Sequence, residues 1–243
     1  MKLNFAGLSD PGLIRSNNQD AYYIDPEKRF CIVADGMGGH AGGEEASRIA
    51  TEQIQTYLGE NWESAQSSQE LLVQALWLAN EAILQDQQNN PERADMGTTA
   101  VVVIFREPES PWCAHVGDSR LYRLRGSQLE QITEDHTWVA RAIKLGDITF
   151  EEARVHPFRH VLSRCLGRED LHQIDVQPLE VQVGDRLLLC SDGLTEELVE
   201  QKITDCLQDN SELEKAAHSL VEAAKAHGGH DNITVALVAV EQN

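Results

Sequence analysis

Five aspartates in this chain of 243 residues stand where an apolar run stops or starts. Asp35 follows Cys31-Ile32-Val33-Ala34 and opens the nearly side-chain-free stretch Gly36-Met37-Gly38-Gly39-His40. Asp118 lies in Gly117-Asp118-Ser119-Arg120 and Asp192 in Ser191-Asp192-Gly193, each after an apolar run. Asp231, in His230-Asp231-Asn232, holds the mirror-image place before residues 233–240, and Asp20 directly precedes Ala21-Tyr22-Tyr23. Strands packed side by side would bring these five carboxylates to one edge. Clustered carboxylates raise one another's pKa unless cations sit between them. Oxygen ligands without Cys or paired His select hard cations, so Mg²⁺ or Mn²⁺ fits better than zinc. An Asp-Gly pair also marks a hairpin turn. Three glycine-flanked acids in one strand-end context, with Asp231-Asn232 besides, make independent turns the weaker reading.

The elements that must position these acids follow from periodicity. Residues 3–8, 21–24 and 31–34 read as short strands forming a small antiparallel meander. Apolar residues at helical spacing predict amphipathic helices over 43–59 and about 68–86. Residues 97–105 are β-branched and apolar throughout, as in a central strand covered on both faces. Strands follow at 112–116, 121–124 and 186–190, with a hairpin turn at Arg125-Gly126-Ser127. Residues 137–170 read as an excursion over the domain: a helix ends at Gly146 and another starts near Thr149. Helices are expected at about 197–207 and 211–227. The second carries a capping-box pattern, Ser211 with Glu214, and is stopped by Gly228-Gly229.

A net charge of −20 argues against nucleic acid and against an anionic membrane surface as partners. Five cysteines without a CxxC pair read as reduced core thiols in a reducing compartment. With no apolar leader and no run of membrane-spanning length, the expected location is the cytoplasm. His115, inside a strand, reads as a satisfied core residue, and no histidine has zinc spacing.

These motifs, over essentially the whole chain and in one order, resemble the metal-dependent serine/threonine phosphatases called PP2C. Arg15 with Asn18-Gln19-Asp20 looks like the first motif and Asp35-Gly36-Met37-Gly38-Gly39-His40 like the second. Met96-Gly97-Thr98-Thr99-Ala100, Gly117-Asp118-Ser119-Arg120, Ser191-Asp192-Gly193 and Asp231-Asn232 follow. The compact form looks like the short bacterial members. The resemblance implies an α+β fold, a four-layer α-β-β-α sandwich of two antiparallel sheets flanked by helices, with residues 1–243 as a single domain. It also implies a two-metal core of Mg²⁺ or Mn²⁺. Asp35 would bridge both ions, the Gly36 carbonyl would bind one, and Asp192 and Asp231 would complete the other. Asp118 with Asp192 would hold a weaker third ion. Asp20 would order metal-bound water, Asn232 would support Asp231, and Arg15 would clamp the phosphate with its planar fork of donors. A metal-bridging hydroxide would then attack the phosphorus directly.

Two positions depart from the pattern. Gln19-Asp20 stands where the family often carries Glu-Asp. Met37 stands where animal relatives place a histidine as general acid, which leaves His40 as a candidate donor, a substrate contact or a structural residue. Residues 144–168 correspond to the flap beside the active site in bacterial members. The expected substrates are phosphorylated proteins, either Ser/Thr kinase targets or a small signalling protein such as PII, turned over by a monomer. The alternatives are a catalytically weak binding module of the same fold and a broad small-molecule phosphomonoesterase.

Overall fold

Period-two burial along the strands sorts their side chains into three separate cores. In β11 (Ile233–Glu241), Ala236 and Val238 join one cluster while Ile233, Val235 and Leu237 join another. In β5 (Ala100–Ile104), Val101 and Val103 face the first cluster while Ala100, Val102 and Ile104 face a third. These runs are apolar throughout because both of their faces are covered. The shared cluster, with Cys31, Val33, Leu187 and Leu189, is the seam between two sheets. The other two clusters lie between a sheet and its helices.

The computed structural model describes residues 1–39 and 42–242. One sheet has the order β1 (Lys2–Asp10), β11, β10 (Arg186–Cys190), β7 (Arg120–Arg125), β8 (Gln128–Gln131). The other runs β2 (Asp20–Ile24), β3 (Phe30–Met37), β5, β6 (Trp112–Val116), β9 (Asp175–Pro178), with the two-residue β4 (Gly97–Thr98) paired to β3. All of these pairings are antiparallel. Helices α1 (Gly42–Asn61) and α2 (Ser68–Asn89) cover the second sheet. Helices α6 (Glu200–Asp209) and α7 (Leu213–His227) cover the first. The helix–sheet–sheet–helix sandwich is therefore formed. Among the described residues no helix is long and apolar enough to cross a membrane, and all five cysteines are buried and free.

Three local expectations change. The N-terminal meander is not made: β1 pairs with β11 along its whole length, Lys2 opposite Glu241, and only β2 and β3 are neighbours. The partner lies at the far end of the chain, where no local pattern points. Residues 97–105 are not one strand. Thr99 breaks the run between β4 and β5, and its backbone and side chain serve Asp35 instead. The helix expected at about 197–207 is present as α6, preceded by a separate turn α5 (Asp192–Thr195). The Ser211–Glu214 capping box is also absent. Helix α7 starts at Leu213 behind Glu212, without a side-chain cap, and the Ser211 carbonyl accepts from Arg186. Capping boxes form at Ser67–Glu70 and at Thr149–Glu152, which opens α4 (Phe150–Arg154). Helix α3 (Trp138–Leu145) ends as expected at Gly146, whose φ of 79° suits glycine.

Candidate active site

Asp20 and Asp35 face each other directly across the β2–β3 ladder. The loop that breaks the next strand locks Asp35 in place. The Thr98 hydroxyl donates to the Asp35 carbonyl at 2.8 Å, the Thr99 N–H to the same carbonyl at 2.9 Å, and the Asp35 N–H to Thr99 Oγ1 at 3.0 Å. Thr99 Oγ1 also lies 2.6 Å from Ser119 Oγ, joining the Asp35 segment to Asp118. Ser191 plays the same part on the first sheet. Its hydroxyl donates to Asp20 Oδ2 at 2.7 Å and accepts from the Thr234 N–H at 3.0 Å. Asn232 fastens the N-terminal loop, accepting from the Gln19 N–H and donating to the carbonyls of Pro11 and Asn17.

Two glycines are required by closeness alone. A Cβ at Gly36 would lie 1.9 Å from the Gly43 carbonyl oxygen, and one at Gly193 would lie 2.0 Å from that of Asn232. The main chains that carry the acids are therefore packed against neighbouring backbone, with no room for a side chain.

The structure thus brings together Arg15, Asp20, Asp35, Gly36, Asp118, Asp192, Asp231 and Asn232. Burial, and then the charges of Asp20, Asp192 and Asp118, hold the Asp35 carboxyl well above its ordinary range. Asp118 is raised by burial and Asp192, and Asp192 by burial and Asp231. Burial pushes Asp20 up to about 7, against the downward pull of its Ser191 and Thr234 hydrogen bonds. Among the described residues, Asp20 Oδ1 is buried with no hydrogen-bond partner. An orphaned carboxylate oxygen beside mutually repelling acids is the environment that cations relieve, and the all-oxygen donor set suits a hard one. Arg15 pairs directly with one of these acids, its guanidinium donating to Asp231 Oδ2 at 2.7 Å.

A cleft of about 1340 Å³ opens above these groups. Arg15, Asp118, Asp192 and Asp231 line one side, and Ile143, Phe150, Arg159 and His160 from the 138–161 segment line the other. That segment also exposes Leu145, Val155 and Phe158. Between the two sides stands Glu196, half-buried, which burial and then Asp192 and Asp231 push up to about 7. Its Oε1 lies 2.6 Å from His160 Nδ1.

Sequence reasoning missed Thr99, Ser119, Ser191, Glu196 and His160 as parts of the site. The threonine and the two serines stood inside the quoted motifs but read as strand or turn formers; nothing in the spacing linked Glu196 to the flap. His40 lies outside the described residues. His115 is buried, as expected, with Nε2 2.8 Å from the Glu134 carbonyl. His136 stacks on it with ring centroids 4.5 Å apart and 22° between planes. Burial, then His115 and Arg164, push His136 down to about 4, so the neutral ring accepts the Gly117 N–H at Nδ1. These rings and Asp175 bring ligand atoms within 4.8 Å of one another, but His115 Nε2 and His136 Nδ1 already meet the Glu134 carbonyl and the Gly117 N–H.

A family model described as "Protein phosphatase 2C" matches residues 15–230. The chain belongs to the protein phosphatase 2C family. Among its PP2C relatives, the serine/threonine protein phosphatase PstP of Mycobacterium tuberculosis is 38% identical over 98% of this chain. The chain spans only 45% of that relative's length. The protein phosphatase PhpP of Streptococcus pneumoniae is 37% identical, covering 97% of this chain and 96% of its own length. The crystal structure of the catalytic domain of serine threonine protein phosphatase PstP in complex with two manganese ions is similar at TM-score 0.85. It is 35% identical and covers 99% of both chains. The α-β-β-α sandwich is thus common to this chain and a solved PP2C structure.

Proposed function

We propose that this chain is a metal-dependent protein phosphatase that hydrolyses phosphoserine and phosphothreonine, with residues 1–243 acting as one catalytic domain. The observation that carries the reading is the acid cluster with its partnerless buried Asp20 Oδ1, set beside Arg15 on one cleft. Asp35 and the Gly36 carbonyl, with Asp192 and Asp231, would hold two ions, and Asp118 with Asp192 a weaker third. Mn²⁺ is the first ion to try, because the PstP catalytic domain is described with two manganese ions. Ions so held lower the pKa of water towards neutrality and so supply the nucleophile.

The chain's own groups do the rest. Asp20, on its Ser191 hydrogen bond, is placed to orient and accept from water beside Asp35. Arg15 leaves Asp231 to grip the phosphate oxygens, for which its fork of parallel donors is suited. The exposed apolar and basic flap offers a protein substrate more contact than a small phosphate needs. Its substrates are taken to be kinase targets or a small signalling protein such as PII, met by a monomer in the cytoplasm.

The test is phosphate release from a phosphothreonine peptide in EDTA, then with added Mn²⁺ or Mg²⁺. Turnover only with metal is expected. A folded protein inactive with every metal would make the chain a binding module, and turnover of small phosphates but not of phosphopeptide would make it a small-molecule phosphomonoesterase.

A further inference from the structure

Breaking the ester of phosphoserine expels a strongly basic alkoxide unless a proton reaches the leaving oxygen as the bond breaks. Met37, directly after Asp35-Gly36, has no proton to give. We propose that His160 is the proton donor to the seryl or threonyl oxygen, held in position by Glu196. This inference rests on the phosphatase reading above.

The geometry assigns the two roles. Glu196 caps the α5 turn that Asp192 opens, and its N–H donates to the Asp192 carbonyl at 2.8 Å, so its place relative to the acid cluster is fixed by backbone. From there its carboxylate meets His160 Nδ1 at 2.6 Å, and the ligating atoms of His160, Asp192 and Glu196 all lie within 4.8 Å of one another. A carboxylate this close to Nδ1 pairs with the protonated ring and leaves Nε2 as its working atom. Both residues line the cleft that holds Arg15, Asp118 and Asp231. A second histidine of the cleft, His230, also meets an acid, Glu197 at 2.7 Å, but its side chain is 71% exposed. His160, by contrast, is 44% exposed, and its acid caps the turn that Asp192 opens. His160 is therefore the histidine tied to the acid cluster.

In the step, a water oxygen forms the new bond to phosphorus while the bond to the seryl oxygen breaks. The electron pair of that bond goes to the seryl oxygen, which takes the Nε2 proton of the His160 imidazolium. The proton lost by the attacking water returns through solvent to Nε2. The sum is phosphate ester plus water giving alcohol plus hydrogen phosphate, with His160 and Glu196 restored.

The experiment compares wild type, His160→Asn and Glu196→Gln, each with Mn²⁺, on a phosphothreonine peptide and on aryl phosphates from p-nitrophenyl to phenyl phosphate. A good leaving group needs no proton, so p-nitrophenyl phosphate should lose less than about threefold in kcat, which also shows the variants are folded. On the peptide, kcat should fall about 100-fold or more in His160→Asn and about tenfold in Glu196→Gln, which keeps the imidazole but loosens its anchor. The aryl series should become more steeply dependent on leaving group in both variants. Equal losses on all substrates, or a peptide effect confined to KM, would overturn the assignment. So would loss of a bound ion in Mn²⁺ titration calorimetry, which would make the pair ligands. A wild type inactive on every phosphate with Mn²⁺ or Mg²⁺ would instead sink the phosphatase reading itself.

Discussion

Arg15 donates to Asp231 at 2.7 Å across 216 positions of sequence, so the cation suited to grip phosphate is tied to an acid suited to hold a metal. The pair is open to water, its side chains 53% and 32% exposed, and such pairs contribute about 1 kcal/mol at most. Arg15 therefore competes with a metal for Asp231, but weakly. Arg15→Gln should bind Mn²⁺ more tightly, by up to about fivefold in calorimetry. Inhibition by inorganic phosphate should weaken by about tenfold or more, as a charge-assisted contact is lost. Weaker Mn²⁺ binding in Arg15→Gln would show that Arg15 supports Asp231.

The raised carboxyls set the pH dependence of the metal-free protein. Asp20 has an ordinary value of 3.8 and is pushed up to about 7 in the fold, with Asp35, Asp118 and Asp192 also raised. A carboxyl that ionises later in the folded state than in the unfolded one stabilises the fold below the ordinary value. That contribution is lost as pH rises towards the folded-state value. In EDTA, Tm should therefore fall between about pH 4 and pH 7, and Mn²⁺ should remove much of the fall by stabilising the ionised acids. Asp35→Asn should raise Tm in EDTA by about 2–4 °C for each kcal/mol of repulsion relieved, while abolishing turnover. A metal-free Tm that climbs over this range would contradict the mutual repulsion.

Gly36 and Gly39 sit three residues apart and should answer differently to the same change. An added methyl at Gly36 meets backbone oxygen at 1.9 Å, whereas at Gly39 no described residue beyond its chain neighbours lies within 4 Å. Gly36→Ala should lose about 1–3 kcal/mol, at the upper end because the obstacle is main chain, and should lose Mn²⁺ affinity with it. Gly39→Ala should stay within about 0.5 kcal/mol of wild type. Urea denaturation followed by fluorescence reads both, and equal midpoints for the two variants would refute the close approach at Gly36.

Asn232 holds the loop that carries Arg15 and Gln19 through three hydrogen bonds to backbone. Each such bond contributes about 0.5–1.5 kcal/mol, and leaving its partners buried costs more. Asn232→Ala should therefore lose about 2–4 kcal/mol in urea denaturation, and hydrogen exchange at residues 11–19 should quicken while that of β10 stays slow. Unchanged exchange at Gln19 would remove Asn232 from the role of clasp.

Much of this was already legible along the chain. Asp35, Asp118 and Asp192 announce themselves because an apolar run that ends in an acid and a glycine is a local pattern, and a rigid strand is what holds a carboxylate still. The helices α1 and α2 and the central strands were readable for the same reason: periods of 3.6 and 2 are properties of neighbouring residues. The four-layer sandwich and the role of each acid came with the resemblance, which ordered motifs carried and no single one of them would have.

The tertiary structure decided what depends on distance through space. That β1 joins β11 and leaves the supposed meander, that Thr99 leaves its strand to lock Asp35 onto Ser119, and that Ser191 fixes Asp20 are pairings between remote segments, on which local propensity is silent. Glu196 and His160 are the clearest instance. Each is an ordinary polar residue in its own stretch, and only the fold of the flap over the cleft brings them to 2.6 Å beside Asp192. Sequence determines which side chains can hold a cation or give a proton; the meeting of two such groups is fixed by packing, because the energy that places them is spread over the whole core.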